Sequence, residues 1–227
     1  SFSCLGVEIS TTQRKPGGKL KVRARNALDR ASRLQLLPVH RARRATMSHG
    51  YVAAVWAYGI EHGHLNKRTT KKVQAAAIRT IGYGEHLRCS EIVHTLFLKG
   101  YVTDPDQAAT YRLVRGVLRV LCREGPNKDR AVRIARDGPL DGNGPVAVVR
   151  RTLDSIGIQW QMPGPDGRVF FSVDGQAFLL QDDEVDRVLH AVRDALRRRE
   201  WGKAAGRRDD MAEINDMDYE KTVQLWR

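Results

Sequence analysis

The residues best able to do chemistry in this sequence are the lysines and arginines of its first half. Residues 1–100 contain 18 Lys/Arg and 5 Asp/Glu, whereas residues 101–227 contain 21 of each. The excess is greatest over residues 11–45, where eleven cations accompany the single acid Asp29. Such a cluster repels itself unless a polyanion lies nearby, and nucleic acid is the usual polyanion. The alternative, a solvated basic face, leaves the neutral second half unexplained.

The candidate nucleic-acid contacts fall on three predicted helices. The first, residues 19–37, has an apolar stripe for packing and a basic flank that can present guanidinium groups to phosphates. The second begins with arginines, and the third has lysines on its polar side. We expect phosphate contacts from Lys19, Arg23, Arg30, Arg33, Arg41, Arg44, Lys71 and Lys72.

The acidic, histidine and cysteine residues do not form a recognisable catalytic or metal site. Asp182-Asp183 begins a predicted helix and Asp209-Asp210 lies in a polar loop, whereas a two-metal catalytic site needs carboxylates held on adjacent strands. His62 and His64 lack a third ligand nearby, and the three cysteines are far apart. We predict no catalytic residue, no metal site and no cofactor for this chain.

The spacing of apolar residues and the turn signals along the chain predict a mainly α protein. One edge strand over the first nine residues precedes a helical bundle, and a second helical region with a small β-hairpin near residues 168–180 follows it. The hairpin signal is the Asp174-Gly175 pair. We expect helices over residues 19–37, 39–58, 66–82, 90–98, 105–123, 128–136, 146–156, 182–205 and 218–227.

The apolar runs and the opening residues of the sequence indicate where the protein is located. The longest apolar run, residues 51–60, is half of what a membrane span needs, so no membrane partner is expected. No signal peptide is visible, which favours an intracellular protein. The opening SFSCLGVEI starts in the middle of a predicted strand, so we expect that the natural N-terminus is missing.

Several segments together resemble a known family. The stretch LGVEI is followed by a Gly-rich bend, a basic helix, an apolar helix ending in AYGIEHG and another helix ending in IRTIGYG. This succession resembles the reverse transcriptases of non-LTR, LINE-like retrotransposons just after their catalytic centre. The later segments GPVAVVRRTLDSIGIQW and LRRREWGKAAGRR are similar to the helical region that follows the thumb in such elements.

The resemblance implies a division of the chain and a function. Residues 1–17 would end the palm, with Leu5, Gly6 and Val7 as primer-grip residues. Residues 18–88 would form the thumb and residues 89–227 the post-thumb region. The chain would clamp an RNA–DNA hybrid or duplex in the nucleus as a partner of its own palm and fingers, and Mg²⁺ would belong to the parent polymerase. The fragment alone would be inactive.

A free-standing helical DNA-binding module is the alternative. The turns around Pro38 or residues 63–66 would then belong to a helix-turn-helix, and the third helix would read a groove. Gln74 is the one base-reading amide on that helix. An RNA–DNA clamp fits the basic pattern better, because phosphate contacts need cations and not amides.

Overall fold

The computed structural model is mainly α-helical, as the sequence predicts. It divides by contacts into two units, residues 1–109 with 197–227 and residues 110–196, and each unit is described by itself. The predicted domain limits at residues 17 and 88 stay predictions. The residues described are 2–4, 7–9, 18–60, 65–82, 90–123, 125–137, 142, 144–161, 170–173, 176–180 and 184–206.

The opening residues form two short strands where the sequence indicates one. Strands β1 (Phe2–Cys4) and β2 (Val7–Ile9) pair antiparallel, with Cys4 opposite Val7. The sequence gives little sign of this pairing, because Leu5-Gly6 is not one of the common two-residue hairpin loops. Leu5 and Gly6 lie outside the described residues.

Three long helical segments form a bundle over residues 18–82. Helix α1 (Gly18–Gln35) buries the predicted apolar stripe. The second segment comprises α2 (Arg41–Met47), a π-helix (Ser48–Ala53) and α3 (Ala54–Ala57), and the third is α4 (Lys67–Thr80). All three predicted helices are confirmed within a few residues. The buried stripe of α1 consists of Leu20, Ala24, Ala27, Ala31 and Leu34.

A polar junction follows the bundle in the same unit. Helices α5 (Ser90–Leu96) and α6 (Gly100–Thr103) lead to α7 (Pro105–Cys122). The Asp104 carboxylate caps α7, since its Oδ1 accepts from the backbone N–H groups of Asp106 at 2.9 Å and Gln107 at 3.1 Å. Gly100 leaves room for the side chain of Gln107, whose Oε1 would lie 2.7 Å from a Cβ there.

Residues 110–196 pack helices against a small antiparallel sheet. The helices are the later part of α7, α8 (Pro126–Asp137), α9 (Pro145–Ser155) and most of α10 (Val185–Ala205). The strands β3 (Gln159–Gln161), β4 (Phe170–Val173) and β5 (Gln176–Leu179) lie in that order.

The predicted hairpin is confirmed as β4 and β5, and β3 is an addition to it. Gly157, with a φ of 78°, turns the chain after α9 and brings β3 beside β4. Trp160 then stacks on Phe171 with ring centroids 5.6 Å apart. The predicted helix over residues 218–227 lies outside the described residues. Among the helices that the structure describes, none is both long and apolar enough to cross a bilayer.

Candidate nucleic-acid interface

Helix α1 is attached to the end of α3 by an arginine and a tyrosine. The Arg23 guanidinium carbon lies 4.7 Å from the centroid of the Tyr58 ring, and Nη1 donates to the Tyr58 carbonyl oxygen at 2.8 Å. Tyr58 directly follows α3, and the last carbonyls of a helix lack partners within that helix. A cation there also meets the negative end of the helix dipole. Arg23 therefore both stacks on the ring and caps α3.

A second pair of the same kind lies two helical turns away. The Arg30 guanidinium carbon is 4.8 Å from the centroid of the Tyr51 ring, and Nη1 donates to the Tyr51 carbonyl oxygen at 3.2 Å. Tyr51 belongs to the π-helix, in which the usual helical hydrogen-bond pattern is displaced. The two pairs are seven residues apart on both segments and in opposite order. The second segment therefore runs antiparallel to α1.

Arg44 joins the other ends of α1 and α4. Its side chain is half-buried, and Nη1 donates to the carbonyl oxygen of Gln35, the last residue of α1, at 3.4 Å. Gly82, just beyond α4, has a φ of 76°, and a Cβ there would lie 3.2 Å from Arg44 Nη2. Both features favour glycine at position 82. Because α1 and α4 both end beside Arg44, these two helices are parallel.

Parallel packing places the basic starts of α1 and α4 at one end of the bundle. Lys19 begins α1, Lys71 and Lys72 lie near the start of α4, and all three side chains are exposed. Neither helix has an acid in its first turn. Cations at a helix N-terminus are unfavourable by about 0.3–1 kcal/mol each, and a bound anion reverses that effect. Exposed Lys21, Lys67 and Arg68 lie in the same two helix starts.

The eight predicted contact residues thus fall into three groups. Lys19, Lys71 and Lys72 belong to the end where α1 and α4 begin. Arg33, late in α1, and Arg41, the first residue of α2, are exposed toward the opposite end. The remaining three have intramolecular roles that the sequence analysis missed. These are Arg23, Arg30 and Arg44.

The described residues of the bundle include few acids. The described parts of the bundle, residues 18–60 and 65–82, contain fourteen Lys/Arg and one acid, Asp29. Within these residues, cations therefore greatly outnumber the carboxylates that could reduce their positive potential. Phosphate binding by all eight residues stays a prediction. Of the predicted primer-grip residues, Val7 lies in β2 and the other two are outside the described residues.

The geometry does not favour base reading by α4. The Gln74 side chain is half-buried, and its amide donates to Asp104 Oδ2 at 2.6 Å. The amide that a helix-turn-helix would present to a groove is therefore used within the protein. No observation on the described residues supports that alternative over the clamp.

Two histidines stabilise the segment between α5 and α7. The buried His94 ring contacts the Thr103 hydroxyl at 3.1 Å, and that hydroxyl donates to the Lys99 carbonyl at 3.2 Å. Burial lowers the pKa of His94 although three carboxylates nearby oppose this. His49 Nε2 accepts from the Lys99 backbone N–H at 3.3 Å.

Several of the residues considered for a metal site lie outside the described residues. Within the described residues no three His, Cys, Asp or Glu side chains are grouped so that they could hold a metal ion. His62 and His64 lie outside those residues, as do both aspartate pairs, Asp182-Asp183 and Asp209-Asp210. We therefore assign no catalytic role from the structure.

Comparison with known proteins gives no match to a family model, a curated protein or a solved structure. The geometry and charge of the bundle, together with the sequence pattern, are thus the basis of the functional proposal.

Proposed function

We propose that this chain is the part of a non-LTR retrotransposon reverse transcriptase that follows the catalytic centre. Its bundle would clamp the template–primer duplex through phosphate contacts. The observation that supports this most is the exposed basic end of α1 and α4, where Lys19 and Lys67 lie in helix first turns that contain no acid. The other partners of this chain would be the palm and fingers of the same polypeptide. The chain would act in the nucleus.

The chemistry of this surface fits a phosphate backbone better than base edges. Lysine is a point charge and arginine a planar fork, and both bind phosphates regardless of sequence. We therefore expect RNA–DNA hybrid and duplex to bind with little sequence preference and strong salt dependence. The shape of the duplex would decide the fit.

The isolated chain is proposed to be catalytically inert. Nucleotide addition requires paired carboxylates for two metal ions, and the resemblance assigns these, with Mg²⁺, to the part of the polymerase that precedes this chain. Given primer, template, triphosphates and Mg²⁺, the chain should incorporate no nucleotide. Extension above a no-protein control, with contaminating polymerase excluded, would refute this.

The binding proposal is tested by a salt titration of RNA–DNA hybrid affinity. Arg23 and Arg30 are unsuitable targets, because their removal would disturb helix packing along with charge. We therefore choose the triple variant of the exposed lysines, Lys19→Gln, Lys71→Gln and Lys72→Gln, since glutamine is nearly as good a helix former. If all three reach phosphates, the slope of log K against log[salt] becomes shallower by about 2–3 units.

A matched triple variant on α10 controls for net charge. Arg187→Gln, Arg193→Gln and Arg197→Gln remove the same charge. Arg187 lies 3.6 Å from Glu184, and Arg193 donates to the Leu189 carbonyl of its own helix at 3.2 Å. We expect little change in the slope from this variant. Equal losses from the two triples would mean diffuse attraction and would overturn the proposed surface.

A further inference from the structure

The near-neutral composition of residues 110–196 conceals an arginine-rich helix face. This unit contains 13 Lys/Arg and 12 Asp/Glu, yet residues 110–123 contain four arginines and no acid. Three lie on α7 and the fourth directly follows its last residue, and their spacing of three or four residues places them along one face of the helix. They are Arg112, Arg115, Arg119 and Arg123.

This line of arginines points away from the core of its unit. The opposite face of α7 supplies Val114, Leu118 and Leu121 to the buried apolar cluster. Arg115, Arg119 and Arg123 are exposed and Arg112 is half-buried. Within the described part of the chain, none of the four has a carboxylate or a hydrogen-bond partner in range. Arg136 on α8 differs, since it forms an ion pair with Asp137 at 2.8 Å.

A glycine lies within the same face. Gly116 is exposed in the middle of α7, and a Cβ there would have nothing within 4 Å. Its backbone is helical, so neither conformation nor packing inside the protein requires glycine. A helix-interior glycine is less favourable than alanine. Glycine at such a place permits close approach of another molecule to the helix backbone, between the arginines.

We propose that this face of α7, the α7 arginine face, is a second nucleic-acid contact surface that binds one phosphate backbone. From Arg112 to the end of α7 beside Arg123 the helix rises about 16 Å, a length that corresponds to roughly five phosphates of one strand counted along the duplex axis. Guanidinium forks suit bidentate contact with phosphate oxygens. No side chain on the face offers an amide to base edges, so the contact is independent of sequence.

The composition of the face argues against a membrane surface. An interfacial helix needs a broad apolar face beside its cations to enter the lipid. Here the apolar face of α7 is buried in the core, and Val120 is the one exposed large apolar residue described on the helix. Binding to vesicles rich in anionic lipid, but not to nucleic acid, is the outcome that would replace this proposal with a membrane contact.

The test is a salt titration of RNA–DNA hybrid binding by the full 227-residue chain. In the α7 variant, Arg115→Gln, Arg119→Gln and Arg123→Gln are combined. We expect a slope about 2–3 units shallower than that of the unmodified chain. The matched control combines Arg130→Gln, Arg133→Gln and Arg136→Gln on the exposed side of α8, in the same unit. Equal losses from both triples would mean diffuse attraction and would overturn the inference.

This inference shares its ligand with the proposed function but uses other residues. Loss from the α7 variant without loss from the bundle lysine variant would refute the bundle clamp and leave the α7 surface standing. The reverse result would refute the α7 surface alone.

Substitution of Gly116 by a larger residue is a second test, and it leaves the charge of the face unchanged. Gly116→Leu should raise the melting temperature, because leucine is the better helix former, and should weaken hybrid binding severalfold. Gly202→Leu is the matched control, since Gly202 is also an exposed helical glycine with nothing within 4 Å of a Cβ. Unchanged binding by Gly116→Leu would contradict close approach of a backbone to the helix.

Discussion

The bundle and the unit of residues 110–196 build their cores from different side chains. On α1 the buried positions include Ala24, Ala27 and Ala31, each at most 1% exposed. In the other unit Leu118 and Phe171 are fully buried. Helices packed on alanine approach closely, but alanine buries less apolar area than leucine. The bundle therefore combines a close alanine contact along α1 and buried large residues such as Trp56 with arginine contacts such as the Arg23–Tyr58 pair, while residues 110–196 depend on apolar packing.

The same contrast appears where helices begin. Helices α1, α2 and α4 have no acid in their first turns, whereas α7, α8 and α10 have Asp106, Asp129 and Asp186 there. Acids at a helix start stabilise it and cations do not. Three of these later helices thus follow the stabilising pattern, whereas α9 (Pro145–Ser155), like the bundle helices, has no acid in its first turn. The proposed phosphate-binding surface would account for the missing acids of the bundle helices.

The predictable part of the fold is the part set by periodicity. The α1 stripe from Leu20 to Leu34 follows directly from helical spacing, and Asp174-Gly175 indicates the later hairpin. The candidate site was harder to predict from the sequence. Arg23 and Arg30 look like surface cations until the position of the partner helix is known. The seven-residue spacing shared with Tyr51 and Tyr58 is the signal that could have revealed the pairs.

Core substitutions should give the largest difference between the two regions. Leu118→Ala removes a fully buried side chain from the apolar cluster and should cost about 2–5 kcal/mol of unfolding free energy. Ala27→Leu overpacks the close α1 contact and should cost about 1–3 kcal/mol. Urea unfolding followed by circular dichroism measures both. A stabilising effect of Ala27→Leu would show that the bundle core is not tightly packed.

Removal of the arginine–tyrosine pairs should have a smaller effect, confined to stability. Combining Arg23→Gln with Arg30→Gln loses two cation–π contacts and two hydrogen bonds to carbonyls, for about 1–3 kcal/mol in total. Arg25→Gln is the control, since Arg25 is exposed on the same helix. Urea midpoints distinguish them. Equal midpoints for the double variant and the control would remove the proposed structural role.

Acid should destabilise the junction between α5 and α7. The loss of unfolding free energy should be comparable to, or smaller than, that from removing the arginine–tyrosine pairs. Burial, and then the charge of Lys99, lower the pKa of His49 from 6.5 to about 4. The unfolded chain therefore takes up a proton first, so this contribution is complete above pH 6.5 and is lost as the pH falls toward 4. Such a shift is worth about 3 kcal/mol for a fully buried group, and solvent screening of the half-buried ring reduces it to about 1–2 kcal/mol.

His49→Gln separates this effect from the titration of carboxylates. Glutamine can still accept from the Lys99 N–H but does not titrate, so the loss of stability between pH 6.5 and 4 should be smaller than in the unmodified chain. Unfolding free energies measured across that pH range provide the comparison. Parallel curves for the two proteins would assign the acid sensitivity to other groups.

The most direct measurement of the central claim is lysine acylation of the intact chain with and without RNA–DNA hybrid, read residue by residue by mass spectrometry. The account predicts that hybrid slows acylation of Lys19, Lys71 and Lys72 severalfold. Lys99 and Lys203, which are exposed outside the bundle, should react at nearly unchanged rates. Equal protection of all five lysines, or protection of Lys99 and Lys203 alone, would contradict a nucleic-acid surface at the start of α1 and α4.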